Sequence, residues 1–197
     1  MPARLVCASA NPAKVAEIAR ILGSATSMVP RPDDLVVPDE DAPTLEGNAL
    51  IKANVVAVHT AEWAVADDTG LEVEALGGAP GVRSARFAGD DADDAANRAL
   101  LLSRLEGVAD RRARFRTVVA VMSPTGEFHL LRGECAGTIA SAERGTNGFG
   151  YDSVFVPDEG DGRTFAEMSD AEKDAISHRG RALAGLPGLL ARIDGSA

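Results

Sequence analysis

Residues 66–89 read Ala-Asp-Asp-Thr-Gly-Leu-Glu-Val-Glu-Ala-Leu-Gly-Gly-Ala-Pro-Gly-Val-Arg-Ser-Ala-Arg-Phe-Ala-Gly. Two adjacent carboxylates, Asp67 and Asp68, follow the apolar run 63–66, which predicts a short buried strand that ends at the acids. Turn-forming residues then predict a loop, which also contains Arg83 and Arg86. These turn formers are Gly77, Gly78, Pro80 and Gly81. Acid, hydroxyl, glycine and arginine so close together suggest a site for a metal and a phosphate.

The composition restricts the class of protein. Its 197 residues carry a formal net charge of -10, so it lacks the basic character that binding of nucleic acid or an anionic membrane surface requires. No apolar run approaches the roughly 20 residues that span a bilayer, and residues 1–5 lack the order of a signal peptide. We therefore expect one cytoplasmic domain over residues 1–197. Cys7 and Cys135 lie in apolar, strand-like contexts and are expected to be buried free thiols.

The cations are divided unevenly between arginine and lysine. Seventeen of the 20 are arginine, and the three lysines are Lys14, Lys52 and Lys173. A compact ammonium and a planar guanidinium suit differently shaped sites, and each lysine falls within a motif described below. We interpret the three lysines as candidate phosphate ligands; the alternative is that they are ordinary surface residues.

A strand, a tight turn and a helix are predicted at the start of the chain. Residues 4–9 have the pattern of a strand, and apolar residues at helical spacing follow until Gly23. In the turn, Asn11 is a candidate N-cap and Pro12 suits the first helical position. Helix-start N–H groups with a hydroxyl, an amide and an ammonium form a candidate anion site, although an ordinary capped helix explains the same residues. The candidate residues are Ser9, Ala10, Asn11, Pro12, Ala13 and Lys14.

An acidic loop and a second helix precede the central segment. After a strand predicted at residues 25–29, the loop 30–43 carries the acids Asp39, Glu40 and Asp41. A helix is predicted from Thr44 onwards, and Lys52 lies beside its apolar face. The pattern leaves open whether Lys52 faces solvent or the protein.

A hairpin and a glycine-rich loop follow. Residues 114–122 and 127–140 predict a β-hairpin. The loop 145–152 then places three glycines around Phe149 and Tyr151, in a chain that is only 4% aromatic. Such rings either fill the core or provide a stacking surface for a base.

The C-terminal part of the chain is predicted to be helical. Ser169 is a candidate N-cap for a helix that bears Lys173. A final helical stretch opens at residues 177–180, where His178 and Arg179 offer adjacent donors. Gly185 and Pro187 predict a break within this stretch.

Strands that alternate with helices at both ends, with a hairpin between them, predict an α/β fold with a sheet of mixed direction. Separate segments bring phosphate or metal chemistry to this fold, and together they indicate an enzyme that acts on a nucleotide with Mg²⁺. The segments are residues 9–14, residues 39–41 with Lys52, residues 67–69, and Lys173 with His178 and Arg179.

The chain resembles the inosine triphosphate pyrophosphatase family, whose members hydrolyse non-canonical purine nucleoside triphosphates to the monophosphate and pyrophosphate. The resemblance covers nearly the whole chain, and the turn 9–14 is similar to the family's S/T-x-N-x-x-K motif. The other matching stretches are Asn48-Ala49 with Lys52-Ala53, Ala66 to Leu71, Gly77 to Arg86, Gly148 to Asp152, and Ser177 to Gly180.

The resemblance implies an elongated mixed central β-sheet flanked by helices, in two lobes with the active-site cleft between them, and a homodimer. The substrates it implies are ITP, dITP and XTP. It makes Asp68 the catalytic carboxylate, which also binds Mg²⁺, with Glu40 as the second metal ligand. The implied phosphate ligands are Lys14, Lys52 and Lys173, with hydrogen bonds from Ser9, Asn11 and Thr69.

For the base, the resemblance implies that Phe149 stacks on the purine. Donors at the border of the pocket would meet the 6-keto oxygen of hypoxanthine or xanthine, whereas adenine presents a 6-amino donor there. The implied pocket residues are Phe149, Gly150, Tyr151, Asp152, His178 and Arg179. Guanine also has a 6-keto group, and the residues do not show how it is excluded.

The acidic loop departs from the family pattern. The family often has Glu-Thr-Gly where this chain has Glu40, Asp41, Ala42 and Pro43. Glu40 lies twelve residues before Lys52, as the family spacing expects, but Asp39 and Asp41 are chemically able substitutes at the metal.

Two other functions stay open at this point. The related Maf-like nucleotide pyrophosphatases prefer modified pyrimidines or other nucleotides. A nucleotide sensor without catalysis is the alternative from a different class, although Asp68 and Lys14 favour an enzyme.

Overall fold

The fold alternates strands and helices, and the computed structural model describes residues 3–23, 26–36, 40–193 and 195. Within these residues the strands are β1 (Ala3–Cys7), β2 (Thr26–Pro30), β3 (Ala64–Val73), β4 (Pro80–Gly81), β5 (Arg112–Met122), β6 (Phe128–Ile139) and β7 (Phe155–Pro157). The α-helices are α1 (Pro12–Leu22), α2 (Leu45–Thr60), α3 (Asp94–Arg104), α4 (Asp170–Ile176), α5 (His178–Ala184) and α6 (Leu186–Ile193).

The strands form one mixed sheet. Its order is β2-β1-β3-β5-β6-β7, and β4 pairs with β3. β1 runs parallel to β2 and β3, whereas the β3–β4 and β6–β7 pairs are antiparallel. Neighbouring strands β5 and β6 are joined by a tight turn, in which the Ser123 N–H donates to the Glu127 carbonyl at 2.8 Å. The predicted α/β fold, mixed sheet and hairpin are confirmed.

Strand β3 is longer than the sequence pattern indicated. It continues through Asp67 and Asp68 and pairs with β4 at Leu71 and Glu72. Asp67 and Asp68 are therefore buried in the middle of a strand, at 2% and 4% exposure. The prediction ended the strand at the acids because the apolar run stops at Ala66, and buried carboxylates are favourable only where they are paired. The pairing groups come from other elements of the fold, so local sequence does not reveal them.

Three side-chain caps set the positions of the helices that bear the lysines. Asn11 Oδ1 accepts from the N–H groups of Ala13 and Lys14 at the start of α1. Thr44 Oγ1 accepts from Gly47 N–H at the start of α2, and Ser169 caps α4. The caps Asn11 and Ser169 were predicted from sequence and are confirmed, whereas Thr44 was predicted only as the start of its helix. Each satisfies helix-start donors and thereby fixes the register of the lysine that follows.

The chain divides by its internal contacts into two compact units. The first unit comprises Met1–Asp68, Thr117–Gly133 and Arg179–Ala197, and the second comprises Thr69–Arg116 and Glu134–His178. Each unit has its own apolar core. The first core includes Leu5, Ile18, Val119 and Leu186. The second includes Leu71, Phe115, Phe155 and Phe165.

Two expectations from composition can be compared with the structure. Cys7 and Cys135 are buried free thiols, as predicted. Burial raises the pKa of the Cys7 thiol, so it stays protonated and unreactive in the fold. In the part of the chain that is described, no helix is both long enough and apolar enough to cross a membrane.

Candidate active site

Lys52 is the centre of a buried polar cluster in the first unit. Its Nζ lies 2.8 Å from Glu40 Oε1, 2.8 Å from the Asp67 carbonyl oxygen and 3.2 Å from Asp68 Oδ1. The residue is 6% exposed, so Lys52 faces the protein and the question left open by the sequence is resolved. An ammonium at this depth has its three N–H donors directed at three acceptors.

Helix α2 presents two donors to Asp68. Asn48 and Lys52 are four residues apart, so they lie on the same face of the helix. Asn48 Nδ2 donates to Asp68 Oδ2 at 3.2 Å, while Lys52 contacts Oδ1. The Asn48 Oδ1 atom accepts from Ala42 N–H at 3.0 Å, which ties the acidic loop to the helix. Both oxygens of the Asp68 carboxylate are therefore oriented by one helix.

Asp67 is held by a different set of cations. Lys14 Nζ lies 3.4 Å from Asp67 Oδ2, and the Arg179 guanidinium donates to the same oxygen at 3.1 Å. Arg179 also donates to Glu17 Oε2 at 3.0 Å. Arg179 and Glu17 are 1% and 2% exposed, whereas the Lys14 side chain is 19% exposed. One buried cation and two buried carboxylates therefore meet here beside a partly exposed lysine.

The two adjacent aspartates differ in their affinity for a proton. Burial opposes ionisation of Asp67, but Lys14, Arg179 and Lys52 outweigh it and lower the Asp67 pKa below its usual range. Burial raises the pKa of Asp68, Glu40 adds to the rise, and Lys52 and Lys14 offset only part of it. Asp67 therefore stays a fixed counter-ion, while Asp68 has the higher proton affinity that suits a general base.

Glu40 and Asp68 are the carboxylates best placed to share a cation. Both contact the same atom, Lys52 Nζ, and Glu40 is partly exposed. Among the described residues, no group of three or more His, Cys, Asp or Glu side chains forms a metal cluster. A pair of carboxylates is the donor set that Mg²⁺ uses when substrate phosphates and water complete its shell. Asp41 is exposed, and Asp39 lies outside the described residues.

A second polar cluster lies in the second unit, around Asp152. Lys173 Nζ is 2.7 Å from Asp152 Oδ2, and both residues are 4% exposed. The same carboxylate oxygen accepts from Phe149 N–H at 3.0 Å. The Lys173 ammonium also lies 5.1 Å from the centroid of the Phe149 ring, within cation–π range. The acid, the lysine and the aromatic ring thus form one contiguous group.

The glycines of residues 145–152 allow the loop to approach Asp152 closely. Gly148 has a φ of 75°, and a Cβ at this position would collide with the Asp152 carboxylate. A side chain at residue 148 is therefore excluded by both backbone conformation and space. The loop lines a cavity of about 150 Å³, whose walls include Asn147, Phe149 and Asp152.

His178 and Tyr151 are anchored in the second unit. The His178 ring stacks on Phe115 with a centroid distance of 4.4 Å and an interplanar angle of 19°. The Tyr151 hydroxyl donates to the Ser84 carbonyl at 2.8 Å, and burial raises the Tyr151 pKa. Tyr151 thus links the loop that bears Phe149 to the glycine-rich segment 77–86.

The sequence of the chain matches the model of a known protein family. The model of the Ham1 family matches residues 5–188. The chain belongs to the Ham1 family. A dITP/XTP pyrophosphatase of Mycolicibacterium paratuberculosis is 51% identical over 187 residues, which cover 91% of each chain. A dITP/XTP pyrophosphatase of Nocardia farcinica is 50% identical over 98% of this chain and 97% of its own length.

Solved structures of Ham1 proteins have the same fold. A HAM1 protein from Coxiella burnetii is 39% identical, with a TM-score of 0.87 over 96% of this chain and 99% of that one. The Staphylococcus aureus Ham1 protein is 36% identical, with a TM-score of 0.84 over 95% of this chain and 97% of that one.

Within this Ham1 fold, the predicted site residues separate into the two clusters. Lys14, Lys52, Glu40, Asp68 and Arg179 belong to the first, whereas Lys173 contacts Asp152 and Phe149 in the second. The three lysines that we grouped from composition therefore do not share one set of contacts. All three nevertheless pair with acids, and Lys52 and Lys173 are buried.

The remaining predicted residues lie beside these clusters. In the turn 9–14, Ser9 Oγ accepts from Asn11 N–H at 3.3 Å, and Ala10, Pro12 and Ala13 shape the backbone around the Asn11 cap. Thr69 follows Asp68 in β3 and is half-buried. The structure leaves the substrate contacts of these residues as predictions.

Three residues of the first cluster were not among the predicted site residues. Asn48 lies in a matching motif, and its spacing of four from Lys52 is the signal that indicates a shared helix face. Asp67 was noted beside Asp68 but given no role. Glu17 carries no such local signal, because its partner Arg179 is 162 residues away in the chain.

Proposed function

We propose that this protein is a nucleoside triphosphate pyrophosphatase that hydrolyses ITP, dITP and XTP to the monophosphate and pyrophosphate. The relatives named dITP/XTP pyrophosphatase, at about half sequence identity over most of the chain, support this activity. The observation that carries it for this chain is the contact of Lys52 Nζ with both Glu40 and Asp68. This contact places the proposed phosphate ligand Lys52 beside the two proposed metal ligands.

Mg²⁺ is the proposed cofactor, with Glu40 and Asp68 as its protein ligands. When bound, the ion would screen the triphosphate and orient a water toward the α-phosphorus, with pyrophosphate as the leaving group. The contact of Glu40 with Lys52 supports Glu40 over the exposed Asp41 as second ligand.

The residues of the first cluster have distinct roles in this proposal. Asp68 helps to activate the attacking water, and Asn48 and Lys52 orient its carboxylate for this role. Lys14 binds phosphate oxygens with an ammonium that Asp67 orients. Lys52 would bind a phosphate oxygen in exchange for one of its three present acceptors. Asn48 holds Asp68 in position, and Asp67 holds Lys14 in position. Ser9, Asn11 and Thr69 supply hydrogen bonds to the triphosphate.

The second cluster is the proposed recognition site for the purine base. Phe149 stacks on the ring, and Asp152 and His178 border it. Arg179 belongs to the first cluster, and its predicted contact with the 6-keto oxygen would use N–H groups other than those bonded to Asp67 and Glu17. Lys173 was predicted to bind a phosphate group. We keep this role in the proposal for its ammonium group, which contacts Asp152. A site built on hydrogen bonds rejects a ligand with the wrong donor by about 10⁴-fold, so ATP is expected to be a poor substrate.

The test of this function is pyrophosphate release across a panel of nucleotides in Mg²⁺. We expect kcat/KM to be highest for ITP, dITP and XTP and lower for dUTP and the four standard triphosphates. A preference for pyrimidines would favour the Maf-like activity instead. Binding of ITP without release of pyrophosphate would identify a nucleotide sensor. The homodimer, the cytoplasmic location and the single domain also stay predictions.

Lys14→Arg is expected to lower kcat/KM for ITP by roughly 10- to 100-fold although the charge is retained. Lys14 is 19% exposed and lies 3.4 Å from Asp67, so a larger planar guanidinium displaces the charge from its position. Steady-state rates of pyrophosphate release measure the change, and Lys14→Met, which removes the charge, should be at least as severe. If Lys14→Arg matched the wild type, Lys14 would be an ordinary surface lysine.

A further inference from the structure

Helix α3 holds the loop that bears Phe149. Asp94 Oδ2 accepts from Gly150 N–H at 2.7 Å, and Arg98 Nη1 donates to the Gly150 carbonyl at 2.9 Å. Asp94 and Arg98 are four residues apart and therefore project from the same face of α3. The N–H and the carbonyl of Gly150 belong to consecutive peptide groups. The two side chains thus fix the peptide planes on both sides of Gly150.

Arg98 is itself oriented before it reaches the loop. Its Nε donates to Glu143 Oε2 at 2.8 Å, and the same carboxylate accepts from Ser153 Oγ at 2.9 Å. The Arg98 side chain is 19% exposed, whereas Glu143 is 43% exposed. Because its Nε and Nη1 have separate partners, the planar guanidinium has a defined orientation.

The peptide that α3 holds lies between the residues proposed to recognise the base. Phe149 precedes Gly150, and its N–H group donates to the Asp152 carboxylate. Tyr151 follows Gly150, and its hydroxyl donates to the Ser84 carbonyl. Arg98 and Gly150 line the same cavity of about 150 Å³ as Phe149 and Asp152. Gly150 has a φ of 60°, a left-handed conformation that glycine adopts readily.

We propose that Asp94 and Arg98 are positioning residues for base recognition. They hold Phe149 and Asp152 in the binding arrangement before the nucleotide arrives, so that little conformational entropy is lost on binding. The inference rests on the proposed function, since it assigns residues that act through the base-binding loop. Neither residue has a proposed role in bond cleavage. We therefore expect the rate of the chemical step to change little when either residue is replaced.

Arg98→Met is the variant that tests this proposal. It keeps most of the side-chain length and removes the donors to Gly150 and Glu143. We expect KM for ITP to rise about tenfold, as for a lost charge-assisted hydrogen bond, with kcat changed less than threefold. The preference for ITP over ATP, measured as a ratio of kcat/KM values, should fall by a similar factor because the loop no longer aligns its polar groups.

Arg104→Met on the same helix is the matched control. Arg104 is exposed and its guanidinium lies over the Phe87 ring, so it should retain the wild-type KM and selectivity. If Arg98→Met does not fold, Asp94→Ala and Asp94→Asn decide the question. The asparagine retains an acceptor for Gly150 N–H, so it should restore KM and selectivity relative to alanine.

The outcomes separate this inference from the proposed function. Wild-type protein that releases no pyrophosphate from ITP would overturn the function itself. Wild-type activity with a preference for ITP, together with an Arg98→Met variant of unchanged KM and selectivity, would overturn the positioning role alone. A lower melting temperature with unchanged KM and selectivity would also overturn it, because that is the result of a merely structural contact.

Discussion

Asp68→Asn is expected to lower kcat for ITP by about 10²- to 10⁴-fold while the chain stays folded. The amide keeps the shape of the carboxylate and one acceptor oxygen, which can still receive the hydrogen bond from Lys52. It loses the negative charge and the proton affinity that the buried environment raises in Asp68. Pyrophosphate release under saturating ITP and Mg²⁺ measures the rate, and urea unfolding verifies the fold.

Asp41→Asn is the control for this result. It removes a carboxylate from the same acidic region, but Asp41 is exposed and follows Glu40, whose side chain contacts Lys52. We expect a near-normal rate. Near-normal turnover by Asp68→Asn would exclude Asp68 as the base, and a large loss in Asp41→Asn would transfer the second metal ligand from Glu40 to Asp41.

Arg179→Met is expected to lower the free energy of unfolding by about 3–5 kcal/mol. The guanidinium donates to Asp67 and Glu17, and the three side chains are 1–3% exposed. Its removal takes a buried counter-ion away from Asp67 and Glu17, which is far less favourable than loss of a surface pair. Urea unfolding at neutral pH measures the difference.

Arg163→Met provides the comparison with an exposed ion pair. Arg163 contacts Asp161 and Glu172, but its side chain is 39% exposed, so the loss of stability should be much smaller than in Arg179→Met. Equal losses in the two variants would contradict the importance that we assign to the buried network.

The loss of unfolding free energy in Arg179→Met should also depend on pH. The folded pKa of Asp67 is lowered from the ordinary value of 3.8. Its contribution to stability is therefore present above 3.8 and is lost as the pH falls from there toward the folded pKa. Part of this contribution comes from Arg179, so the difference between wild type and Arg179→Met should narrow below about pH 4. A deficit that widened there would contradict this assignment.

Local patterns determined much of the architecture. Asn11, Thr44 and Ser169 cap helices because a short polar side chain can accept the free N–H groups of a helix start, and this depends only on neighbouring residues. The hairpin of β5 and β6 likewise depends on neighbouring residues, because the turn residues between the two strands determine it. The resemblance of ordered motifs identified the family from sequence, and the family model over residues 5–188 confirms it.

The tertiary structure decided how the charged residues pair. The residue pattern alone did not distinguish Asp67 from Asp68, which only the family resemblance singled out, and it left open whether Lys52 faces solvent or the protein. In the fold both acids lie inside β3; Asp67 pairs with Arg179, which is 112 residues away, while Asp68 pairs with Lys52 and Asn48. Local sequence sets the helix that carries a charge, but the partner of that charge depends on which distant elements share the same buried space. The residue types of the site are therefore evident in the sequence, whereas packing determines which aspartate is a fixed counter-ion and which has the raised pKa.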